Sequence, residues 1–385
     1  MTERTMNEPA GIHLGSICGT SASQINKAFA GALLAFAILL PMLAHAGVVS
    51  VETVNMAGRY MALGIVALGL DLIWGYTGIL SLCQALFFAL GGYAMGIHLA
   101  HQGTLHNGIP ESLYVVYPYK VGESKGMEVL PWFWLIFKPF NLTILLGILI
   151  PGLVAGLIGF AGFISRVKGV YFSILTQALT VAAMMFFSKN EMKLCGTNGI
   201  TNFTTLAGHE LSDPNVKIGL YVVTLICLIG TYLICLLLTK SRFGRVLLAV
   251  RDSETALRFA GYKPYAFKAA IFIFAGMLAG LAGMLYTPQA NIITPSYMEA
   301  RWSILMVVWV AVGGRGTLFG AVAGAMVINL LYNAMTSQWS IGSFDWKPDY
   351  WPLVLGMLFI LVVLALPDGL AGLWRKMVGR IAEVD

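Results

Sequence analysis

The chain is poor in charge. Only 11% of its 385 residues are Asp, Glu, Lys or Arg, against 58% hydrophobic. That balance excludes a water-soluble globular fold, which usually carries about 25% charged residues. Cysteine is also scarce: Cys18, Cys83, Cys195, Cys227 and Cys235 are odd in number and scattered. Cys227 and Cys235 share one apolar run without metal-ligand spacing, so neither a disulfide framework nor a zinc site is expected. The histidines, His13, His45, His98, His101, His106 and His209, are not spaced with Ser, Cys or carboxylates as a triad would need. His98 and His101 share a helix face but lack further ligands nearby. The string of Gly, four residues, Gly, Lys and Ser or Thr that cradles phosphates is missing too. Nothing resembles a catalytic set, and no cofactor or metal is expected. The net charge of +6 does not point to nucleic acid, because the cations lie in loops beside apolar runs.

Long apolar runs are what the chain has instead. Spans are predicted at about 28–46, 56–74, 78–100, 142–164, 170–187, 218–238, 269–287, 297–312, 318–334 and 351–366. The fold class expected is all-α, a polytopic transmembrane bundle of about ten spans with both termini cytoplasmic. The 43 glycines suit helices that approach one another closely in lipid. Residues 1–26 are expected to be a disordered cytosolic tail, 27–374 the transmembrane domain and 375–385 a second tail. The 28–46 run ends in Ala44-His45-Ala46, which imitates a signal-peptidase site; a cleaved signal and an uncleaved anchor both put Gly47 outside, and the long polar lead favours the anchor. Outer loops are expected at 101–141, 188–217 and 336–350. The first holds Tyr114, Tyr117, Tyr119, Trp132, Phe133 and Trp134, either a headgroup belt or a docking surface.

One polar island, 239–268, lies between two apolar runs. It carries Lys240, Arg242, Arg245, Arg251, Arg258, Lys263 and Lys268, an excess that marks the cytoplasmic side. With this loop inside, 15 of the 24 Lys and Arg fall on the cytosolic side. A short helix is predicted within it: Asp252 as N-cap, Glu254 in the first turn, Gly261 in the left-handed position past the end, and Pro264 as a block. Ala256, Leu257 and Ala260 would form one small apolar face. So short a helix needs a surface to lie on, either this chain's own helix ends and lipid headgroups or a groove on a cytosolic partner.

Three further features stand out. Asp71 to Leu82 joins two spans through a Gly-, Thr- and Ser-containing turn, whose backbone groups must be satisfied inside protein or by a watery cavity. Asp71 could reach the interface or fix that turn by accepting N–H groups, whereas Arg59 is expected to snorkel. In Gly313-Gly314-Arg315-Gly316-Thr317, the residues Gly316, Gly320 and Gly324 predict a close-contact helix face, with Arg315 either anchoring a helix end or touching a cytosolic partner. Amides at Gln84, Gln177, Gln289, Asn291, Asn329 and Asn333 could line a solute path or bridge helices; of these, with Asp71, the path candidates are Gln84, Gln177, Asn291 and Asn329.

The stretch SRFGRVLLAVRDSETALRFAG closely resembles the cytoplasmic loop of permease subunits in the branched-chain amino acid and urea family of ATP-binding-cassette importers. A Gly-Gly-x-Gly-Thr segment is similar too, and the resemblance runs from about Met56 to Trp374. It implies a multi-pass protein of the bacterial inner membrane that works with a second related permease, two cytosolic ATPases and a periplasmic binding protein. The loop would be where the ATPase grips, through Arg251, Asp252, Glu254, Ala256, Leu257 and Gly261. Two departures are the Glu254-to-Gly261 spacing, one residue longer than in the commoner coupling motif, and Cys83, where glycine is common. The wording Asp-Leu-Ile-Trp-Gly-Tyr at 71–76 resembles the urea-type branch and, with Pro131 to Trp134, favours urea or a short amide over branched-chain amino acids. A self-contained secondary transporter would need mid-span charges, which these runs lack. A non-transporting scaffold fits the compact loops and amide-bearing spans poorly.

Overall fold

The computed structural model describes residues 49–103, 105–106, 109–116, 130–165, 167, 169–336, 339–341 and 344–346, with isolated positions at 31, 39–43, 47, 351, 353–354, 356–357, 360 and 369–372. The expected tails 1–26 and 375–385 lie outside the described residues, as do most of the expected spans 28–46 and 351–366.

Helix α1 (Val51–Asp71) is the axis of the bundle. It starts five residues before its apolar run because Ser50 caps it, the Ser50 hydroxyl accepting from the Thr53 N–H at 3.3 Å. A π-helical turn, Leu72–Tyr76, continues it, and from Met61 to Asp71 every side chain is buried. Helix α2 (Gln84–Gln102) follows and is buried over nearly its whole length. Strands β1 (Leu105–His106) and β2 (Ile109–Pro110), short helices α3 (Glu111–Val116) and α4 (Trp132–Ile136), and then α5 (Phe140–Ile164) and α6 (Val170–Phe187) follow. Strands β3 (Ile200–Thr201), β4 (Thr205–Leu206) and β5 (His209–Glu210) lead to α7 (Pro214–Lys240), which has Asp213 as cap and Pro214 in its first turn. The basic loop holds α8 (Arg242–Asp252) and α9 (Glu254–Phe259). After it come α10 (Pro264–Ala290), β6 (Ile292–Ile293), α11 (Ala300–Gly313), α12 (Leu318–Thr336) and the hairpin β7 (Trp339–Ile341) with β8 (Phe344–Trp346).

Among the described residues, six helices are long and apolar enough to cross a membrane: α1 with its π turn, α5, α6, α7, α10 and α12. The expected span 297–312 becomes a turn, Pro295–Met298, and the 14-residue α11. The expected span 78–100 starts only at Gln84, because 78–83 is not helical.

Glycine sets how closely the centre packs. A Cβ on Gly91 of α2 would collide with the Gly280 carbonyl of α10, and one on Gly283 with the Phe88 carbonyl. The two backbones therefore touch, which dispersion favours where lipid offers no hydrophobic drive. Phe87, Phe163, Phe172 and Phe272 join α2, α5, α6 and α10 around edge and stacked contacts 4.8–5.8 Å between ring centres. The outward faces of α5, α6 and α7 are apolar and exposed, with Leu157, Tyr171 and Leu237 prominent. The basic loop and residues 313–317 lie at one end of the bundle, the basic face. At the far face β6 pairs with β3, Ile293 opposite Ile200, tying the end of α10 to the 188–213 segment.

Candidate functional site

The basic loop contains two helices where one was expected. Ser241 caps α8, its hydroxyl accepting from the Gly244 N–H at 3.4 Å, and Gly244, Leu247 and Val250 turn inward. Asp252, expected to cap the short helix, instead ends α8 and reaches only Arg251 Nε, at 3.4 Å. Ser253 takes the capping place because its backbone is extended (φ −155°, ψ 95°), and its hydroxyl accepts from the Ala256 N–H at 3.3 Å. Gly261 has the left-handed φ of +83° that ends α9, and Pro264 opens α10. Of the expected apolar face only Leu257 is buried; Ala256 and Ala260 are exposed. The most exposed large group of the loop is Phe259, at 89%, with Tyr262 and Tyr265 exposed beyond it.

Two residues anchor the pair. Glu254 bonds Arg258 Nη2 at 2.5 Å and Lys268 Nζ of α10 at 2.6 Å. Burial pushes the Glu254 carboxyl up, but Lys268 and Arg258 outweigh it and hold the group below the ordinary carboxylate value. Arg251 turns inward, its Nη1 donating to the Gly75 carbonyl at 2.9 Å and its stem lying against Gly78.

The turn after α11 meets the same place. Gly314 and Gly316 have φ of +114° and +79°, and Arg315 donates from Nε and Nη2 to the Trp74 carbonyl at 3.0 and 2.8 Å, its guanidinium 5.0 Å from the Trp74 ring centre. Asp71, fully buried, accepts the Gly316 N–H at 2.7 Å. The carboxylate thus fixes a turn 245 residues away in sequence, not the one that follows it. Gly316 lies in that turn, before α12 begins at Leu318, and so does not share a helix face with Gly320 and Gly324. Those two pack on the backbone of α11, at Gly313 and Trp309.

Between the π turn and α2 the chain runs without regular structure, and one face of α6 bonds the Leu80 carbonyl and both backbone groups of Leu82. Ser173 Oγ donates to the Leu80 carbonyl (2.7 Å), Thr176 Oγ1 accepts from the Leu82 N–H (3.1 Å), and Thr180 Oγ1 donates to the Leu82 carbonyl (3.4 Å). From Ser173 to Thr180 is about 10 Å along a helix. Non-helical backbone at that depth is tolerated only against protein or a cavity. Here both are found: a cavity of about 700 Å³ lies between Gly78, Leu80 and Leu82 on one side and Ser173, Ile174 and Gln177 on the other. A second, of about 250 Å³, lies between Thr77, Gly78, Arg251, Glu254 and Lys268.

The other polar candidates divide. Gln84 is buried beside the break, and neither it nor Gln177 has a side-chain partner among the described residues. Gln289 bridges helices, donating to Thr224 Oγ1 and the Leu285 carbonyl at 2.8 Å. Asn329 donates to Ala325 of its own helix at 2.7 Å, and Asn291 accepts from the Phe203 N–H at 2.9 Å. Asn291, Asn55, Arg59 and Lys217 border a cavity of about 620 Å³ at the far face. His98 and His101 bond the carbonyls of Phe137 and Trp134, and no cluster of metal ligands occurs among the described residues. Trp134 is buried, donating to the Lys193 carbonyl at 3.0 Å, whereas Trp132 is exposed.

Sequence reasoning missed Phe259 and the α6 hydroxyls. Ser173, Thr176 and Thr180 do recur at helical spacing, but their partners are some 90 residues away.

A family model described as branched-chain amino acid transport system / permease component matches residues 52–363. The high-affinity branched-chain amino acid transport system permease protein LivM of Escherichia coli (strain K12) is 26% identical over 386 residues, 94% of this chain and 78% of that protein. The probable branched-chain amino acid transport permease protein LivM of Methanocaldococcus jannaschii is 24% identical over 339 residues, 83% of this chain and 94% of that protein. The ribose import permease protein RbsC of Bacillus subtilis (strain 168) is 27% identical over 190 residues, 48% of this chain and 57% of that protein. No solved structure matches the chain. The family match takes in the break after α1, the basic loop and the turn at 313–317, and the chain belongs to the branched-chain amino acid transport permeases, as a multi-pass permease component of an ABC transporter.

Proposed function

We propose that the chain is the permease of an importer of branched-chain amino acids in a bacterial inner membrane, with the basic face in the cytosol, where its cations are retained. Separate ATP-binding subunits dock on the α8–α9 pair, a second permease completes the solute path, and a binding protein delivers solute at the far face. The observation that carries this reading is Phe259, 89% exposed on α9, a helix that Glu254 ties to Lys268 of α10. An aromatic presented on a fixed support is the usual anchor of a protein interface. Asp252, Glu254, Ala256, Leu257 and Gly261 then shape and hold this docking element, while Arg251 and Arg315 face the π turn behind it.

The cavity between 78–82 and α6 is the part of the solute path that this chain provides, with Leu80, Leu82, Ile174 and Gln177 among its lining. The wording at 71–76 favoured urea, but Asp71 Oδ1 and the Trp74 and Gly75 carbonyls are taken up by Gly316, Arg315 and Arg251. Residues committed to the protein's own backbone carry no information about the solute. The relatives along most of the chain are described as branched-chain amino acid transporters.

Uptake of labelled leucine and labelled urea, in cells with and without the gene, tests the reading. Loss of leucine uptake alone is expected. Loss of urea uptake alone restores the urea assignment, and transport by the purified chain without ATPase subunits overturns the importer.

A further inference from the structure

The α8–α9 pair does not simply rest on the bundle; one of its side chains is fixed to the backbone of the break. Arg251, the penultimate residue of α8, donates to Gly75 in the π turn at 2.9 Å, and its stem contacts Gly78. Gly78 is where the chain leaves the helix, with φ of +78°, a conformation that glycine adopts without strain. Beyond it Leu80 and Leu82 line the cavity beside α6. One carbonyl earlier, Arg315 grips Trp74 from the turn that Asp71 holds. The π turn is thus clasped by two guanidiniums on adjacent carbonyls: one belongs to the bundle and the other to the docking helices.

The surroundings suit a moving part. The 250 Å³ cavity between Gly78, Arg251, Glu254 and Lys268 leaves room on the loop side of the break. Along the break, the α6 hydroxyls of Ser173, Thr176 and Thr180 form one row at helical spacing against Leu80 and Leu82. Such a row supports more than one register at little cost in unpaired backbone groups, which a sheet or helix ladder would not allow.

We propose that Arg251 is a positioning residue, the strut by which displacement of the α8–α9 pair moves segment 77–83 along α6 and so opens or closes the cavity that segment lines. Arg315 and Asp71 form the fixed jaw against which it works. This rests on the reading of α8–α9 as the ATPase docking site. It assigns to Arg251 an intramolecular role, distinct from contact with the ATPase.

The test uses the whole transporter reconstituted in lipid, with Leu80→Cys introduced after the native cysteines are replaced. A water-soluble maleimide reads the exposure of the Leu80→Cys thiol with and without ATP. With Arg251 intact, its modification rate changes with ATP. With Arg251→Gln, the ATPase subunits are retained and hydrolyse ATP, uptake falls by about tenfold or more, in the range of ordinary coupling free energies, and the ATP-dependent change in modification disappears. Arg251→Lys, which keeps one donor for the Gly75 carbonyl, restores part of both. An ATP-dependent change undiminished in Arg251→Gln overturns the strut. Loss of ATPase retention in Arg251→Gln overturns it as well, by making Arg251 a direct contact. Failure of the docking reading shows separately, as ATPase subunits that do not cross-link to α9 of the otherwise native chain.

Discussion

Replacing Phe259 with alanine removes an aromatic side chain that contributes little to its own fold, being 89% exposed at the end of α9. If an ATPase groove covers it, nearly its whole surface leaves water on docking. Full burial of such a side chain is worth about 1.5–3 kcal/mol. Scaled to the exposed fraction, that is about 1.3–2.7 kcal/mol, or a roughly 10- to 80-fold weaker Kd for each docking site at 1.4 kcal/mol per decade. The measurement is dissociation of labelled ATPase subunits from the permease held in lipid discs, with the thermal midpoint of the permease alone as control. The midpoint is expected to stay put while dissociation accelerates. An unchanged Kd in Phe259→Ala, with the midpoint also unchanged, refutes the docking surface, since no other large apolar group on α9 is exposed.

Two further outcomes follow from the contacts at the basic face. Asp71→Ala leaves the Gly316 N–H without its acceptor and is expected to destabilise the permease by about 1–3 kcal/mol. Asp71→Asn keeps an oxygen at that position and should cost less, so equal thermal midpoints for the two variants would exclude the Asp71–Gly316 bond as the cause. Glu254, held below the ordinary carboxylate value of 4.5 by Lys268 and Arg258, stabilises the folded loop above that pH, and the contribution is lost as pH falls through the lower folded value. A spin label at the exposed Thr255 should therefore stay immobile from pH 8 to about 5.5 and loosen only under more acidic conditions; loosening near neutrality would contradict the ion-pair anchor.

Much of the loop was legible because its signals are local. Gly261 and Pro264 act through their own backbone preferences, and the cations of 239–268 identify a loop wherever it lies. Cap identity was harder. Asp252 and Ser253 are both good caps, and only the run of α8, which continues through Asp252, decides between them. The glycine series failed in one member for a related reason: spacing counts residues but does not say where a helix begins, and Gly316 lies before the start of α12.

Apolar run length, glycine content and charge asymmetry are properties of consecutive residues, and they determined from the sequence alone that the chain is a bundle of membrane helices with one basic loop. Where the polar side chains are directed was decided only by the fold. Asp71 and Gly316, Arg251 and Gly75, and Ser173 and Leu80 lie 245, 176 and 93 residues apart. A hydrogen bond acts over about 3 Å, so nothing in the local pattern of either partner reveals the other until the helices have packed.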